Sequence, residues 1–255
     1  MVKVKNISKQ YKIKEKRGTP IYIDAVRDMT FALESNKIYS LIGESGSGKS
    51  TLSRLLTYIE KPTTGKIWID SKEVTSLRKK QLIKMRSDIQ MVFQDGKSAL
   101  DPRQKIYDSI AEPIRNLTNI NKNQEREVIE DLIDKVELPI NILNMLPSEL
   151  SGGQQKRILI ARAMSVCPKF IVFDESISGL DVIIRKRILD LLLKLQQEYK
   201  STYLFVTHDI DAALYMSNNI MVMKKGALVE KALGIKSCND FNHEYSRKLI
   251  NSHFI

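Results

Sequence analysis

The chain has 255 residues and a mass of 29.2 kDa, with 42% hydrophobic and 28% charged residues, a soluble globular profile that excludes fibrous, disordered and mini-protein classes. No apolar run approaches the ~18 residues that cross a bilayer, and the opening MVKVKNISKQYKIK lacks the apolar stretch of a secretory signal, so a cytoplasmic chain is expected. A surplus of 41 Lys and Arg over 30 Asp and Glu, +11 in all, favours a phosphate-bearing partner without choosing among nucleotide, nucleic acid and anionic membrane.

Val2 to Ile13 mixes polar and apolar residues and predicts a flanking antiparallel strand. Lysines and arginines at 3, 5, 9, 12, 14, 16 and 17, against Glu15 alone, put more than half of the charge surplus there; they read as a solvated row on an edge strand that discourages aggregation. Ile38 to Ile42 is almost wholly apolar, as a parallel strand covered on both faces must be. Leu52, Leu55, Leu56 and Ile59 recur at helical spacing, with Pro62 and Gly65 as the predicted stop. Gly65 to Asp70 predicts a second flanking strand, and Ile89 to Phe93 a second buried one.

From about Lys105 to Leu150 no strand pattern appears, and Val128, Ile129, Leu132, Ile133 and Val136 mark an amphipathic helix with acidic residues early in it. Further on, Phe170 to Phe173 and Tyr203 to Val206 predict the remaining central strands, and a stripe from Ile184 to Tyr199 follows a cap at Asp181. Asn219 to Glu230 carries a turn at Lys224-Lys225-Gly226 and predicts antiparallel flanking strands. Strands alternating with helices predict an α/β fold: one domain over 1–255, with a sheet core in 1–103 and 165–230, an inserted helical subdomain over 104–164 and a tail over 231–255. Cys167 and Cys238 are too few for a disulfide framework or a thiolate-held cluster and are expected to be reduced and structural.

The chemistry concentrates in three places. Gly43 to Ser50 reads GESGSGKS and fits G-x-x-x-x-G-K-[ST] between a predicted strand and a predicted helix. Glycines let consecutive backbone N–H groups turn inward around a β-phosphate; the helix adds its positive end, Lys49 a point charge and Ser50 a ligand for Mg2+. FIVFDE, Phe170 to Glu175, places two acids at a strand's carboxyl end, Asp174 on the metal side and Glu175 as candidate base, although two acids there also suit a helix cap. In LSGGQ, Ser151 caps a helix whose first turn offers the Gly152 and Gly153 N–H groups, a second anion site or simply a tightly packed cap. A nucleotide needs one such cradle, so two of them predict a head-to-tail dimer.

In order and spacing, the loop Gly43 to Thr51, Gln94 after a buried strand, LSGGQ at Leu150 to Gln154, FIVFDE, Ser178-Gly179-Leu180-Asp181 and His208 closely resemble ATP-binding cassette (ABC) ATPases over nearly the whole chain. The resemblance implies a P-loop NTPase core with an antiparallel β flank and a helical signature subdomain. It puts Gly43, Ser45, Gly46, Gly48, Lys49, Ser50 and Thr51 on the phosphates of ATP, Tyr11 under adenine, and Ser50, Gln94 and Asp174 at Mg2+. Gln94 would also sense the attacking water and touch a transmembrane partner. Ser151, Gly152, Gly153 and Gln154 would close over the other chain's nucleotide, Asp181 would cross the dimer interface, and His208 would contact the γ-phosphate and order the water that Glu175 activates. Ser176-Ile177 stand where relatives usually have Pro-Thr, and Gly179 where Ala is usual, which predicts slower turnover than in a typical relative.

MVFQDGKSALDPRQKIYDSIAEPI, from Met91 to Ile114, and the tail from Gly226 to Ile250 resemble the ATPases of oligopeptide, dipeptide and nickel importers, with Glu244 where proline is common before Tyr245. That branch implies two paralogous ATPases, or a homodimer, beneath two permease subunits on the cytoplasmic face of the membrane, fed by an extracytoplasmic solute-binding protein. Peptide is the leading solute, with nickel or a metal chelate as the alternative. A nucleic-acid or ribosome-associated cassette suits the charge, but those relatives carry two cassettes or a long coiled coil between loop and signature; here Leu150 lies 102 positions after Gly48 with no sustained heptads between them. No nucleic-acid partner is therefore expected.

Overall fold

The computed structural model describes residues 1–14, 20–93, 99–235, 237 and 240–251. In chain order its elements begin with β1 (Val2–Lys14), β2 (Pro20–Leu33), β3 (Ile38–Ile42), α1 (Lys49–Leu56), β4 (Thr64–Ile69), β5 (Lys72–Glu73), α2 (Lys79–Met85) and β6 (Ile89–Val92). Then come α3 (Ile106–Leu117), α4 (Lys122–Lys135), α5 (Gly152–Met164), β7 (Phe170–Asp174), α6 (Val182–Tyr199), β8 (Thr202–Val206), α7 (Ile210–Met216), β9 (Ile220–Lys224), β10 (Ala227–Ala232) and α8 (Glu244–Asn251). They fall into two compact units, Met1–Leu77 with Leu204–Ile255, and Arg78–Tyr203. Among the described residues no helix is long and apolar enough to cross a membrane.

In the first unit, β2, β1, β4 and β5 form an antiparallel sheet in that order. Val2, Val4 and Ile7 are buried while Lys3 and Lys5 are exposed, so alternation sorts the two faces as the sequence suggests. The edge-strand reading of β1 is corrected. Val2 pairs with Leu33 of β2 and with Ile69 of β4, and only beyond Ser8, where the β4 partners end, does β1 continue as a two-stranded ribbon with β2. Lys3 and Lys5 are exposed because they lie on the outer face of an inner strand.

Also in this unit, β3 runs parallel to β9, with Ser40 opposite Ile220 and Ile42 opposite Val222. The expectation that both strands of 219–230 are antiparallel flanks therefore holds for β10 on β9 but not for β9 on β3. Lys225 and Gly226, both with positive φ, make the two-residue turn between them, the backbone that a tight hairpin demands. Beneath this sheet Ile42, Val222, Ile210, Ala213, Phe241 and Ile250 share one buried cluster, so the tail helix α8 closes the core behind the strand that leads into the phosphate loop.

Helix α1 ends at Leu56, earlier than Pro62 and Gly65 predict, and Ile59 is 53% exposed rather than part of the apolar face. The cause is a Schellman turn. Tyr58 takes φ 52 and donates its N–H to Leu55 O at 3.0 Å, while the Ile59 N–H reaches Arg54 O at 2.9 Å. The buried Tyr58 ring replaces the expected Ile59 contact.

In the second unit β6 and β7 pair in parallel from Ile89 opposite Phe170 to Val92 opposite Phe173, and every residue of β7 is buried. Residues 104–164 contain helices and helical turns and no strand. Asn121 caps α4, and the acid early in that helix, Glu125, is buried rather than solvated. Arg115 clamps its carboxylate with two bonds, 2.8 Å from Nε and 2.7 Å from Nη2, and Tyr107 donates a third at 3.0 Å. Helix α6 starts at Asp181, whose Oδ1 accepts from Ile184 N at 3.0 Å, as the sequence predicts.

Candidate functional site

The loop 43–48 leaves β3 and feeds α1, and its first and last glycines, Gly43 and Gly48, are required by crowding. A Cβ on Gly43 would lie 2.2 Å from the Met223 carbonyl oxygen, and one on Gly48, where φ is 103, would lie 2.2 Å from the Ala25 oxygen and 2.7 Å from Met223 Cε. The loop is thus wedged between β2 and β9. A main-chain bond from Gly226 N to Ser47 O at 2.8 Å ties it to the β9–β10 turn, and Arg27 N holds that turn in place through Gly226 O at 2.7 Å.

Lys49 is buried, with Nζ donating to Gly43 O at 2.7 Å and Glu44 O at 2.9 Å, so its charge sits over the loop it follows. No side chain caps the N-terminus of α1 and no acid lies in its first turn, so the positive end of the helix faces the loop without a side-chain counter-charge of its own. Ser47 adds a buried hydroxyl that has no hydrogen-bond partner among the described residues, a polar atom suited to a ligand oxygen. The sequence reading missed Ser47; its main chain is held by the hairpin at Gly226, and although the turn itself is predicted, its docking on the loop is not. Ser50 and the buried Thr51 occupy the first turn, while Ser45 and Gly46 are exposed at the rim.

Two more predicted residues lie in this unit. His208 is exposed just after β8, and the adjacent Thr207 N donates to Leu41 O at 3.1 Å, which sets the end of β8 beside the strand that launches the loop. Asp209 then caps α7 through Ala212 N at 3.0 Å. Tyr11, half-buried on β1, donates its hydroxyl to Glu60 Oε2 at 2.7 Å.

The second unit holds the acids. Asp174 ends β7 and is 6% exposed; Glu175 follows at φ 46 with its carbonyl taken by Ser178 N at 3.1 Å and Ser178 Oγ at 2.8 Å. This turn lifts Glu175 out of the strand direction, and Ser176 and Ile177, the departures noted above, are both buried beneath it. Gly179 takes φ 74 with open space where a Cβ would stand. In the signature, Ser151 Oγ accepts from Gln154 N at 3.3 Å while Gln154 Oε1 accepts from Ser151 N at 2.9 Å, a reciprocal capping box at the start of α5. Gly152 is open, whereas a Cβ on Gly153 would press Ile184 Cγ2 at 3.1 Å, which brings the signature turn against the start of α6 beside Asp181. Gln94 lies outside the described residues, as does Cys238. Cys167 is exposed and forms no disulfide among the described residues.

A family profile described as ABC transporter matches residues 26–178. The oligopeptide transport ATP-binding protein OppF of Lactococcus lactis subsp. lactis is 38% identical over 228 residues, covering 89% of this chain and 72% of that protein. The nickel import ATP-binding protein NikE of Brucella suis biovar 1 is 36% identical over 249 residues, 98% of this chain and 93% of that one. Among solved structures, the dimeric post-hydrolysis state of an ATP-binding cassette bound to ADP and Pi superposes with a TM-score of 0.83 at 31% identity, over 93% of this chain and all of the other.

Proposed function

The chain belongs to the ABC transporter family, and on that premise we propose how its residues serve an ATP-driven importer. It is the ATPase subunit of such a system. The observation that carries the site assignment is the phosphate loop: a backbone that only glycine can follow at Gly43 and Gly48, with Lys49 held over it and an uncapped helix behind. Its N–H groups, with Ser45, Gly46, Lys49 and Thr51, take the β- and γ-phosphates, and Tyr11 takes the adenine. The Ser50 hydroxyl and the Asp174 carboxylate are hard oxygen donors of the kind Mg2+ selects; when bound, Mg2+ neutralises charge on the phosphate oxygens. Glu175 accepts the proton of the attacking water, and His208 and Gln94 orient that water.

Ser151, Gly152, Gly153, Gln154 and Asp181 act on the nucleotide of a second ATPase chain, a paralogue or another copy of this one. ATP holds that dimer closed and hydrolysis releases it, a ligand-driven shift between two states. The whole of 1–255 is one cassette, with 104–164 as its helical part and 231–255 as a tail. It works at the cytoplasmic face of the membrane beneath two permease subunits, with an extracytoplasmic solute-binding protein delivering peptides. Nickel is the second reading, supported by the likeness to a nickel import ATP-binding protein that is 36% identical over 98% of this chain.

The test uses the chain purified with its partner ATPase. Lys49→Ala loses ATP binding, whereas Glu175→Gln binds ATP, hydrolyses little and accumulates as a closed dimer. Wild-type turnover by Glu175→Gln would sink the base assignment. Retention on RNA at physiological salt without any permease would instead favour a nucleic-acid role.

A further inference from the structure

Beside the phosphate loop, the first unit contains a second polar network that the roles above do not use. Glu60 is its centre. Its Oε2 accepts from the Tyr11 hydroxyl at 2.7 Å and from Arg54 Nε at 3.4 Å, and its Oε1 is 2.9 Å from Lys9 Nζ. Burial works against the charge on Glu60, but the hydrogen bonds from Lys9 and Tyr11, joined by Arg54, outweigh it and hold the carboxyl below its ordinary range. Arg54 in turn donates from Nη2 to Thr51 Oγ1 at 3.3 Å, in the first turn of α1.

Glu60 is not placed by a flexible loop. Its own N–H, like that of Ile59, bonds to Arg54 O, at 3.1 Å and 2.9 Å, so it belongs to the Schellman turn that terminates α1. Lys9 Nζ, anchored to Lys61 O at 2.8 Å, stands 5.3 Å from the centroid of the Tyr11 ring and covers one of its faces. The ring is therefore fixed at its hydroxyl end by Glu60 and on one face by Lys9.

We propose that Glu60 is a positioning residue for base recognition: its carboxylate, fixed in the turn that ends the short helix following the phosphate loop, holds the Tyr11 ring at a set orientation. This rests on Tyr11 being the adenine platform. A tyrosine with a free hydroxyl would sample two or more ring orientations and lose part of the stacking; with Glu60 in place, base platform and phosphate cradle are parts of one rigid piece. Lys9 also disfavours a base on its own side of the ring, so stacking is directed to the other face.

The experiment titrates the full-length chain with ATP and, in parallel, with inorganic tripolyphosphate, which has phosphates but no base. Stacking on an aromatic ring is a large enough effect for Glu60→Ala to weaken ATP about tenfold. Tripolyphosphate affinity stays unchanged, and in a Tyr11→Ala background Glu60→Ala adds no further loss. Glu60→Gln, which keeps an acceptor for the tyrosine hydroxyl and is the milder change for folding, weakens ATP about threefold with the same indifference to tripolyphosphate. Equal weakening of both ligands would mean that Glu60 merely holds α1, and would overturn the proposal; so would losses that add to those of Tyr11→Ala. Should Tyr11→Ala alone leave ATP affinity unchanged, the adenine platform itself fails and this proposal with it. A normal Tyr11→Ala loss beside inert Glu60 variants would overturn only the role given to Glu60.

Discussion

Substituting Gly48 by Ala tests the wedge that shapes the phosphate loop. The new methyl carbon would sit 2.2 Å from the Ala25 oxygen, a backbone atom that cannot swing away, and 2.7 Å from Met223 Cε, at a φ of 103 that side chains seldom adopt. Conformational strain costs about 2 kcal/mol, and relieving the collision adds about as much again, for a total of about 4 kcal/mol. Gly46→Ala is the matched control: its φ is also positive, at 75, but nothing lies within 4 Å of its Cβ, so it costs only about 1 kcal/mol of left-handed strain. For a chain of this size the melting midpoint should fall by about 10 °C for Gly48→Ala and about 3 °C for Gly46→Ala. Melting in the presence of saturating ATP separates stability from function. Gly46→Ala should keep most of the ligand-induced rise, while Gly48→Ala, with its loop displaced, should lose most of it. Equal shifts for the two variants would show that the Ala25 and Met223 contacts do not constrain the loop.

Glu125→Gln removes a buried charge held by Arg115 and Tyr107, at a cost of about 1 kcal/mol after allowing for the half-exposed arginine. Arg115 holds the folded Glu125 carboxyl below its ordinary value of 4.5, so its contribution is complete above pH 4.5 and drains away as pH falls through the folded value. Urea denaturation should show the two proteins converging in acid, and a gap that is constant or widens there would refute the assignment. Ser151→Ala breaks the capping box and should lower the melting midpoint by about 3 °C, with turnover in the paired ATPase falling tenfold or more; loss of stability without loss of turnover would leave the serine only a cap. Tyr203 is fully buried, its hydroxyl offered only the Met164 sulfur at 3.8 Å among the described residues and its ring packed against Phe173 at 4.9 Å, so burial pushes its pKa well above the ordinary value. Tyr203→Phe should therefore be neutral or stabilising by up to about 1 kcal/mol in thermal melts, and a clear loss of stability would contradict this account of the hydroxyl.

Elements buried on every side announced themselves. β3 matches its predicted run residue for residue, and β7 and β8 differ from theirs by a single added residue, because a strand with no exposed face shows an unbroken apolar stretch. β2 was not foreseen. Its alternation exists only in the second half, at Met29, Phe31 and Leu33, while Ile21, Tyr22 and Ile23 lie exposed in the two-stranded ribbon and Asp24, Arg27 and Asp28 interrupt the pattern. Helices α7 and α8 are too short, at 7 and 8 residues, to display a period. The end of α1 was misplaced because a tyrosine in the left-handed region has no compositional signal; glycine is the usual occupant of that position.

The site divides in the same way. Its chemical groups, Lys49, Asp174 and Glu175, were visible as a spaced pattern of residue types. What shapes the loop around them, the contacts with Ala25, Met223 and Gly226, was not, because those contacts join distant stretches through backbone atoms that carry no sequence letter. The network at Glu60 escaped for a related reason: an isolated glutamate four residues after a helix reads as solvated surface until the partners from β1 are seen.

That the loop takes its form from Met223 and Gly226 has a bearing on how the chain is made. The ribosome releases GESGSGKS well before the hairpin that presses it into shape, whose Met223 follows Ser50 by 173 residues. Throughout that interval the nascent polypeptide carries the letters of a nucleotide trap without the trap, and ATP can begin to stabilise the protein only once β9 and β10 have docked.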